Sequence, residues 1–368
     1  MLYFDAAATT LQKPPQVARA VARTISRLAS PGRGGYAQAQ EAQELLFSCR
    51  SEAGTLFSCD PSQVVFTMNA THGLNLAIKS LIAPGNRVVI SGFEHNAVTR
   101  PLHALGARVV VAGGSGLFDP IGVANAFDRA ITRGTKAVIC TQVSNVFGFR
   151  LPVEEISELC RERNVPLILD ASQAAGCCPV TLGSAAFVAM PGHKGLYGPQ
   201  GTGLLLCGQP GTPLLEGGTG NLSKLQTMPP ELPERLEAGT QNVCGIAGLL
   251  AGLQFVKDTG IAAIGQKEAA LRKRLISLLP PQAETFTGKT QTGVLSLRLP
   301  GLDCEEAGEL LGQRQIAVRA GLHCAPLAHE SAGTLETGTI RVSFSYFNTA
   351  REVETLAHTI RELLPLGA

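Results

Sequence analysis

Between Val64 and Leu206 the chain alternates short, continuous apolar runs with longer stretches in which apolar residues recur every three or four positions. The short runs are Val64 to Met68, Arg87 to Ser91, Arg108 to Ala112, Lys136 to Thr141, Pro166 to Ala171, Ala185 to Met190 and Thr202 to Leu206. Helical spacing lies between them, over Thr71 to Ala83, Asn96 to Leu105, Val123 to Thr132 and Val153 to Arg163. Strands without polar alternation are buried on both faces. The pattern therefore predicts an α/β fold with a mainly parallel, seven-stranded-type sheet between two layers of helix.

After Gly239 the character changes. A helical stretch from Gly245 to Leu279 breaks near Thr259-Gly260. A strand at Val294 to Leu299, a helix at Cys304 to Gln313, strands at Ile316 to Arg319 and Thr339 to Ser343, and a helix at Ala350 to Leu364 follow. These describe a smaller α+β lobe. The expected division is a large domain over residues 15–260 and a small C-terminal domain over 261–368 that also takes in 1–14. Gly217-Gly218-Thr219-Gly220 and Met228-Pro229-Pro230 read as loops near the cleft between them.

Composition narrows the function classes. A net charge of +2, from 31 basic and 29 acidic residues mixed along the sequence, gives no basic tract for nucleic acid. No apolar run approaches the roughly 20 residues of a membrane helix, and Met1 to Asp5 lacks the basic start of a secretory signal. A cytoplasmic protein is expected. The ten cysteines show no C-x-x-C spacing, and the neighbours Cys177-Cys178 are poorly placed for a structural bridge, so most read as small buried hydrophobes and no metal site is expected.

Ligands of open parallel sheets bind at the carboxyl ends of the strands. The residues just after each predicted strand are polar and chemically specific: Asn69-Ala70-Thr71, Glu94-His95-Asn96, Ser144-Asn145, Asp170-Ala171-Ser172-Gln173 and His193-Lys194. Taken singly, each also reads as a capped turn or a satisfied core polar group. Five converging strand ends ask for more. An amine in a partly dry pocket loses its proton readily and condenses with an aldehyde. A carboxylate keeps a pyridine nitrogen protonated, a flat ring stacks on a cofactor face, and a helix start binds phosphate. Lys194, Asp170, His95 and Thr71 supply these four parts of a pyridoxal phosphate site.

The ordered motifs Phe4-Asp5-Ala6-Ala7-Ala8-Thr9-Thr10, Ser30-Pro31-Gly32-Arg33-Gly34-Gly35, Ser144-Asn145-Val146-Phe147-Gly148, Asp170-Ala171-Ser172-Gln173-Ala174, Gly192-His193-Lys194, Glu237-Ala238-Gly239-Thr240 and Arg319-Ala320-Gly321-Leu322-His323-Cys324-Ala325 carry a resemblance across nearly the whole chain. It resembles the class V aminotransferase family of fold-type I pyridoxal phosphate enzymes, in the cysteine desulfurase and selenocysteine lyase branch. The resemblance implies that Lys194 binds the cofactor aldehyde, Asp170 pairs with the pyridine nitrogen, His95 stacks on the ring and acts in catalysis, and Gln173 bonds the phenolic oxygen. Ala70 through its N–H, Thr71 and His193 would hold the phosphate. Thr240 would reach the phosphate of a neighbouring subunit, which implies a homodimer with shared active sites. Asn145, at the cofactor, would bind the substrate carboxylate with Arg319 and Arg341.

Cys324 would attack the substrate sulfur, keep it as a persulfide and release alanine, with His323 or Arg319 favouring the thiolate. The short loop around it implies a dedicated sulfur-acceptor protein. Three positions depart from the pattern: Pro191 stands where a phosphate-binding serine is usual, His72 where an acidic residue is frequent, and Leu322 in place of the first histidine of a pair. Cysteine desulfuration is the leading expectation. Selenocysteine lyase activity, another lyase or transaminase on this fold, and an idle scaffold for a sulfur carrier remain alternatives.

Overall fold

The computed structural model describes residues 1–364 apart from Arg33 and Ser115, so the Arg33 position of the glycine-rich motif lies outside the described residues. The chain opens with β1 (Leu2–Tyr3), α1 (Pro15–Arg27) and α2 (Ala37–Phe57). Alternation follows: β2 (Val64–Thr67), α3 (Ala70–Leu81), β3 (Arg87–Ser91), α4 (Asn96–Ala104), β4 (Arg108–Ala112), α5 (Pro120–Ala130), β5 (Thr135–Thr141), α6 (Val153–Glu162), β6 (Leu167–Asp170), β7 (Phe187–Pro191) and β8 (Gly203–Cys207). The rest comprises α7 (Val243–Thr259), α8 (Ile261–Leu278), β9 (Glu284–Phe286), β10 (Val294–Arg298), α9 (Cys304–Gln313), β11 (Ile316–Ala317), β12 (Arg319–Gly321), α10 (Pro326–Ser331), β13 (Thr339–Ser343) and α11 (Ala350–Leu363).

Seven strands form one sheet in the order β2-β8-β7-β6-β5-β3-β4, with β8 alone running against the others. Both faces are largely buried, as the unbroken apolar runs predict, except at the edge strand β4, where Val109 and Val111 are exposed. In β5, Val138 and Cys140 join the core that also holds Phe57, Phe127 and Leu249, while Ala137 and Ile139 face Leu74, Ile78 and Leu102 on the opposite side. Each fully buried aliphatic side chain of this kind contributes about 1.5–3 kcal/mol. A four-stranded sheet, β12-β13-β10-β9, builds a separate core around Leu275, Leu297, Val342 and Leu356. Phe4 of the N-terminal segment belongs to that second core. Among the described residues no single helix is long and apolar enough to cross a membrane.

Two features depart from the sequence-based expectation. The single strand expected over Ile316 to Arg319 is split at Val318, with β11 pairing to β1 and β12 to β13. Residues 15–63, to which no element was assigned, contain α1 and α2. The signal for α2 is present in Ala39, Ala42, Leu46, Cys49, Ala53 and Phe57, all buried and spaced by three or four. Alanine and cysteine are small enough that the stripe is easy to overlook.

Helix α7 packs on α1 and α2 and carries Gly245, Gly248 and Gly252 on its buried side. Gly252 lets it lie directly on the backbone that follows Lys194, since a Cβ there would come 2.2 Å from the Leu196 carbonyl oxygen. Alanine in a helix interior ordinarily stabilises by about 1 kcal/mol relative to glycine. Here Gly252→Ala should instead destabilise by on the order of 3 kcal/mol, because neither backbone can yield cheaply. The midpoint of urea denaturation reads the sign; an unchanged or higher midpoint contradicts the close approach.

Candidate active site

Strand β7 ends in the turn that presents Lys194. The turn is held from two directions. The His193 carbonyl accepts hydrogen bonds from the Thr10 N–H at 3.0 Å and from the Thr9 and Thr10 hydroxyls at 3.1 Å each, while the Lys194 carbonyl accepts from Thr10 Oγ1 at 3.2 Å. From the other side comes the turn after Asp170. A Cβ at Gly176, whose φ is +95°, would fall 1.9 Å from the Gly195 carbonyl oxygen, so the two loops touch backbone to backbone. Burial pushes the Lys194 ammonium down to about 8, with Asp170 opposing that shift and Arg341 and Arg319 adding to it. A neutral amine is thus available near pH 8.

The other strand ends converge on the same space. Asp170 closes β6 at 3 % exposure, and its Oδ1 accepts from the Ser172 N–H at 2.9 Å. His95 caps α4, its Nδ1 accepting from the Ala97 N–H at 3.0 Å. Burial lowers its pKa, and Lys194, Arg319 and Arg341 add to that against the pull of Asp170. The ring is therefore neutral, flat and fixed in orientation. Asn69 caps α3 by accepting from the His72 N–H at 2.9 Å. The first-turn amides of Ala70 and Thr71 have no acceptor among the described residues. Two free N–H groups at the positive end of a 12-residue helix make an anion cradle.

Ala70, Thr71, His95, Asn145, Asp170, Gln173, His193 and Lys194 all line one cleft. Gln173 Nε2 donates to the Ala7 carbonyl at 2.9 Å. His193 Nδ1 lies 3.1 Å from Thr9 Oγ1, and burial, with Lys194 and Lys13, lowers its ring to about 4, so it is neutral. Thr240 does not join them. It is exposed and borders a different cavity, with Gly32, Phe47 and Gln241.

Arg341, in the middle of β13, is 2 % exposed. Its Nη2 pairs with Asp5 Oδ1 at 2.6 Å and its Nη1 donates to the Asn145 carbonyl at 3.0 Å, while its buried Nε has no partner among the described residues. Arg319 is opposite Arg341 across β12 and β13. Cys324 follows on an exposed turn where both His323, at φ 51°, and Cys324, at φ 57°, are left-handed. Two non-glycine residues in that region cost about 1–3 kcal/mol each, so their partners must over-determine them. Asn145 Nδ2 donates to the His323 carbonyl and the Asn96 N–H to the Cys324 carbonyl, each at 2.8 Å. These bonds tie the thiol-bearing turn to both Asn145 and the His95 strand end.

His323 does not supply the positive charge expected of it. It is 5 % exposed, and burial, reinforced by Arg341, drives its pKa down to about 2. Arg319 remains, with Nη2 4.0 Å from Cys324 Sγ. Among the described residues no group of three or more His, Cys, Asp and Glu side chains stands where it could hold a metal ion.

Asp5 and Glu94 are the residues whose roles the sequence did not reveal. Asp5 sits in a motif at the N-terminus, and nothing local announces that it meets a strand more than 330 residues away. Glu94 has no exposure at all; its Oε1 accepts from Ser91 Oγ at 2.5 Å and from the Thr141 N–H at 2.8 Å. It thereby joins the end of β3, where His95 begins, to the end of β5. Burial raises its carboxyl to about 8, so it is protonated at neutral pH. Between roughly 4.5 and 8 the folded chain holds a proton that the unfolded chain has released, and stability falls as pH rises. Glu94→Gln, which mimics the protonated carboxyl, should lessen that slope by on the order of 1 kcal/mol per pH unit. Glu268, also raised to about 8 by burial, retains its share. Denaturant titrations at pH 5 and 8 measure it; equal slopes in both proteins contradict the buried-acid reading.

Residues 2–356 match the aminotransferase class-V family model. A probable cysteine desulfurase of Methanothermobacter thermautotrophicus is 30% identical over 386 residues, covering 100% of this chain and 95% of that one. The apo structure of a cysteine desulfurase from Thermococcus onnurineus superposes with a TM-score of 0.89 at 29% identity, over 99% of this chain and 94% of that one. A cysteine desulfurase from Escherichia coli, solved as an S-sulfonic acid, gives 0.86 at 26%, over 99% and 95%. With a match of this extent and the site geometry above, the chain belongs to the aminotransferase class-V family.

Proposed function

We propose that this protein is a pyridoxal phosphate-dependent cysteine desulfurase that converts L-cysteine to L-alanine and carries the sulfur on Cys324. The observation that carries the reading is the Cys324 turn: an exposed thiol on a strained, doubly anchored loop, bonded to the backbone beside His95 and to the side chain of Asn145. The cleft suits the cofactor. It offers an amine whose proton is lost near pH 8, a buried carboxylate, a neutral imidazole and two unpartnered helix-start amides.

When bound, pyridoxal phosphate supplies the electron sink that lets bonds at the substrate's Cα and Cβ be remade. The chain's own residues do the rest. Ala70 and Thr71 would hold the phosphate with His193, whose neutral ring leaves it a hydrogen-bonding rather than a charged partner. Pro191 offers no hydroxyl there, which puts more weight on the helix-start amides. Lys194 would hold the cofactor's aldehyde and would move the proton at the substrate's Cα. Asp170 would pair with the ring nitrogen, Gln173 would serve the phenolic oxygen, and His95 would offer its flat ring to the cofactor. Asn145, Arg319 and Arg341 orient the substrate carboxylate. The Cys324 thiolate, with Arg319 Nη2 4.0 Å from its sulfur, would bond to the substrate sulfur as the carbon–sulfur bond breaks; the electron pair goes to carbon, which takes a proton and leaves as alanine.

The wider reading is a cytoplasmic homodimer in which Thr240 serves the neighbouring cofactor, with a large domain over 15–260 and a small one over 261–368 plus 1–14. A sulfur-acceptor protein then collects the persulfide. Selenocysteine lyase activity is the second reading, favoured by the departures at Pro191, His72 and Leu322.

Incubation with L-cysteine and with L-selenocysteine, measuring alanine and chalcogenide together, tests the reading. Wild-type protein should give alanine from cysteine. Cys324→Ala should lower that rate by roughly 100-fold or more while sparing selenocysteine turnover to a larger degree. Lys194→Ala should lose the absorbance near about 420 nm that the bound cofactor gives. Alanine from neither substrate sinks the proposal, and cysteine turnover undiminished in Cys324→Ala removes the persulfide role.

A further inference from the structure

The half-buried Lys13 stands at the end of the N-terminal segment, just before Pro14 and Pro15 open α1. Its Nζ donates to the Thr10 carbonyl and to Thr10 Oγ1, each at 2.9 Å. Burial lowers the ammonium to about 8, so keeping a charge in that place has a cost that a solvated lysine avoids. Lys13 is not among the described residues that line the cofactor cleft. What it does is therefore to be read from Thr10.

Thr10 bonds both carbonyls of the lysine turn. Its N–H donates to the His193 carbonyl at 3.0 Å, and its Oγ1 lies 3.1 Å from that carbonyl and 3.2 Å from the carbonyl of Lys194. Chemistry fixes the directions. A carbonyl only accepts and an ammonium only donates, so Thr10 Oγ1 gives its one hydrogen to the turn and takes a hydrogen from Lys13. Such a charge-assisted bond polarises the hydroxyl toward its own acceptors. Gripping Thr10 at carbonyl and hydroxyl together also holds its χ1, which a free threonine shares among rotamers. The proline pair steadies Lys13 in turn: a residue before proline is confined to extended backbone, and Pro15 begins the helix that packs on α7. His193 feels the same ammonium, whose charge adds to burial and to Lys194 in keeping that ring neutral.

We propose that Lys13 is a positioning residue for Lys194: it clamps Thr10 by carbonyl and hydroxyl, and Thr10 holds the His193 and Lys194 carbonyls from which the Lys194 side chain sets out. Other contacts constrain the same neighbourhood. Gln173 holds the Ala7 carbonyl, and Gly176 meets Gly195 backbone to backbone. Lys13 adds a grip on the residue that bonds both carbonyls of the turn. The consequence for turnover rests on the reading that Lys194 holds the cofactor aldehyde; the clamp itself does not.

The test uses the cofactor-loaded enzyme with Lys13→Met, which keeps the apolar stem without donors, Lys13→Arg, which keeps charge and donors, and Thr10→Val, which keeps the branched shape without the hydroxyl. Lys13→Met should lower kcat for alanine release from cysteine about tenfold with KM unchanged, while Lys13→Arg stays within about threefold of wild type. Thr10→Val should reproduce the loss, and the Lys13→Met, Thr10→Val double variant should fall no further than either alone. Amide hydrogen exchange reads the clamp apart from activity: at the Thr10 amide it should quicken about tenfold in Lys13→Met and stay near wild type in Lys13→Arg. Wild-type kcat or wild-type exchange in Lys13→Met overturns the proposal. So does Lys13→Arg falling as far as Lys13→Met, or losses that multiply in the double variant. Should Lys13→Met fail to fold, Thr10→Val decides, since it breaks the same Lys13 bond, and an unchanged kcat there overturns the clamp. Exchange judges the clamp if cysteine gives no alanine, an outcome that counts against the desulfurase reading alone.

Discussion

A guanidinium buried to 2 % exposure sets the terms for the site. An unpaired charge at that depth costs several kcal/mol, so Arg341 has to be met by acceptors from elsewhere in the chain. It is met by Asp5 and by the Asn145 carbonyl. Those two contacts bring together the N-terminal segment, the second sheet and the loop after β5. From Asp5 the N-terminal segment runs on to meet Gln173 through Ala7 and the lysine turn through Thr9 and Thr10. From Asn145 a side-chain bond reaches the Cys324 turn. Pairing one buried cation thus fixes the lysine and the thiol relative to each other.

The large sheet supplies the other half of the geometry. Its strands are apolar on both faces, so polar chemistry is expelled to their ends, where the backbone stops pairing and helix starts offer free N–H groups. Burial there does chemical work in both directions. It brings the Lys194 ammonium down to about 8, keeps a proton on Glu94 and leaves the histidines neutral. The cleft is consequently lined by neutral histidines beside Asp170 and Lys194, with Arg319 and Arg341 on the side of the thiol.

Much of this was legible in the residues. Runs such as Val64 to Met68 and Ala185 to Met190 announced the sheet because burial on both faces leaves no room for polar alternation. The strand-end residues announced the cleft because polar groups follow each run. What stayed hidden depends on contacts between distant segments. Asp5 reaches Arg341 across the length of the chain, Glu94 is a carboxylic acid only because it is buried, and His323 lost its expected charge for the same reason. Helix α2 escaped because its buried stripe is largely alanine and cysteine. Helix α7 could be read as a helix, but not that Gly252 seats it on the backbone after Lys194.

The most direct measurement of the account is where sulfur resides after the enzyme meets cysteine. With the loaded protein given cysteine in the absence of reductant, rapid acid quench and peptide mass mapping report on each of the ten cysteines. The predicted result is one extra sulfur atom on the peptide bearing Cys324 and none on the others. Extra sulfur on Cys177 or Cys178 instead, or alanine formed while Cys324 gains no sulfur, contradicts the account.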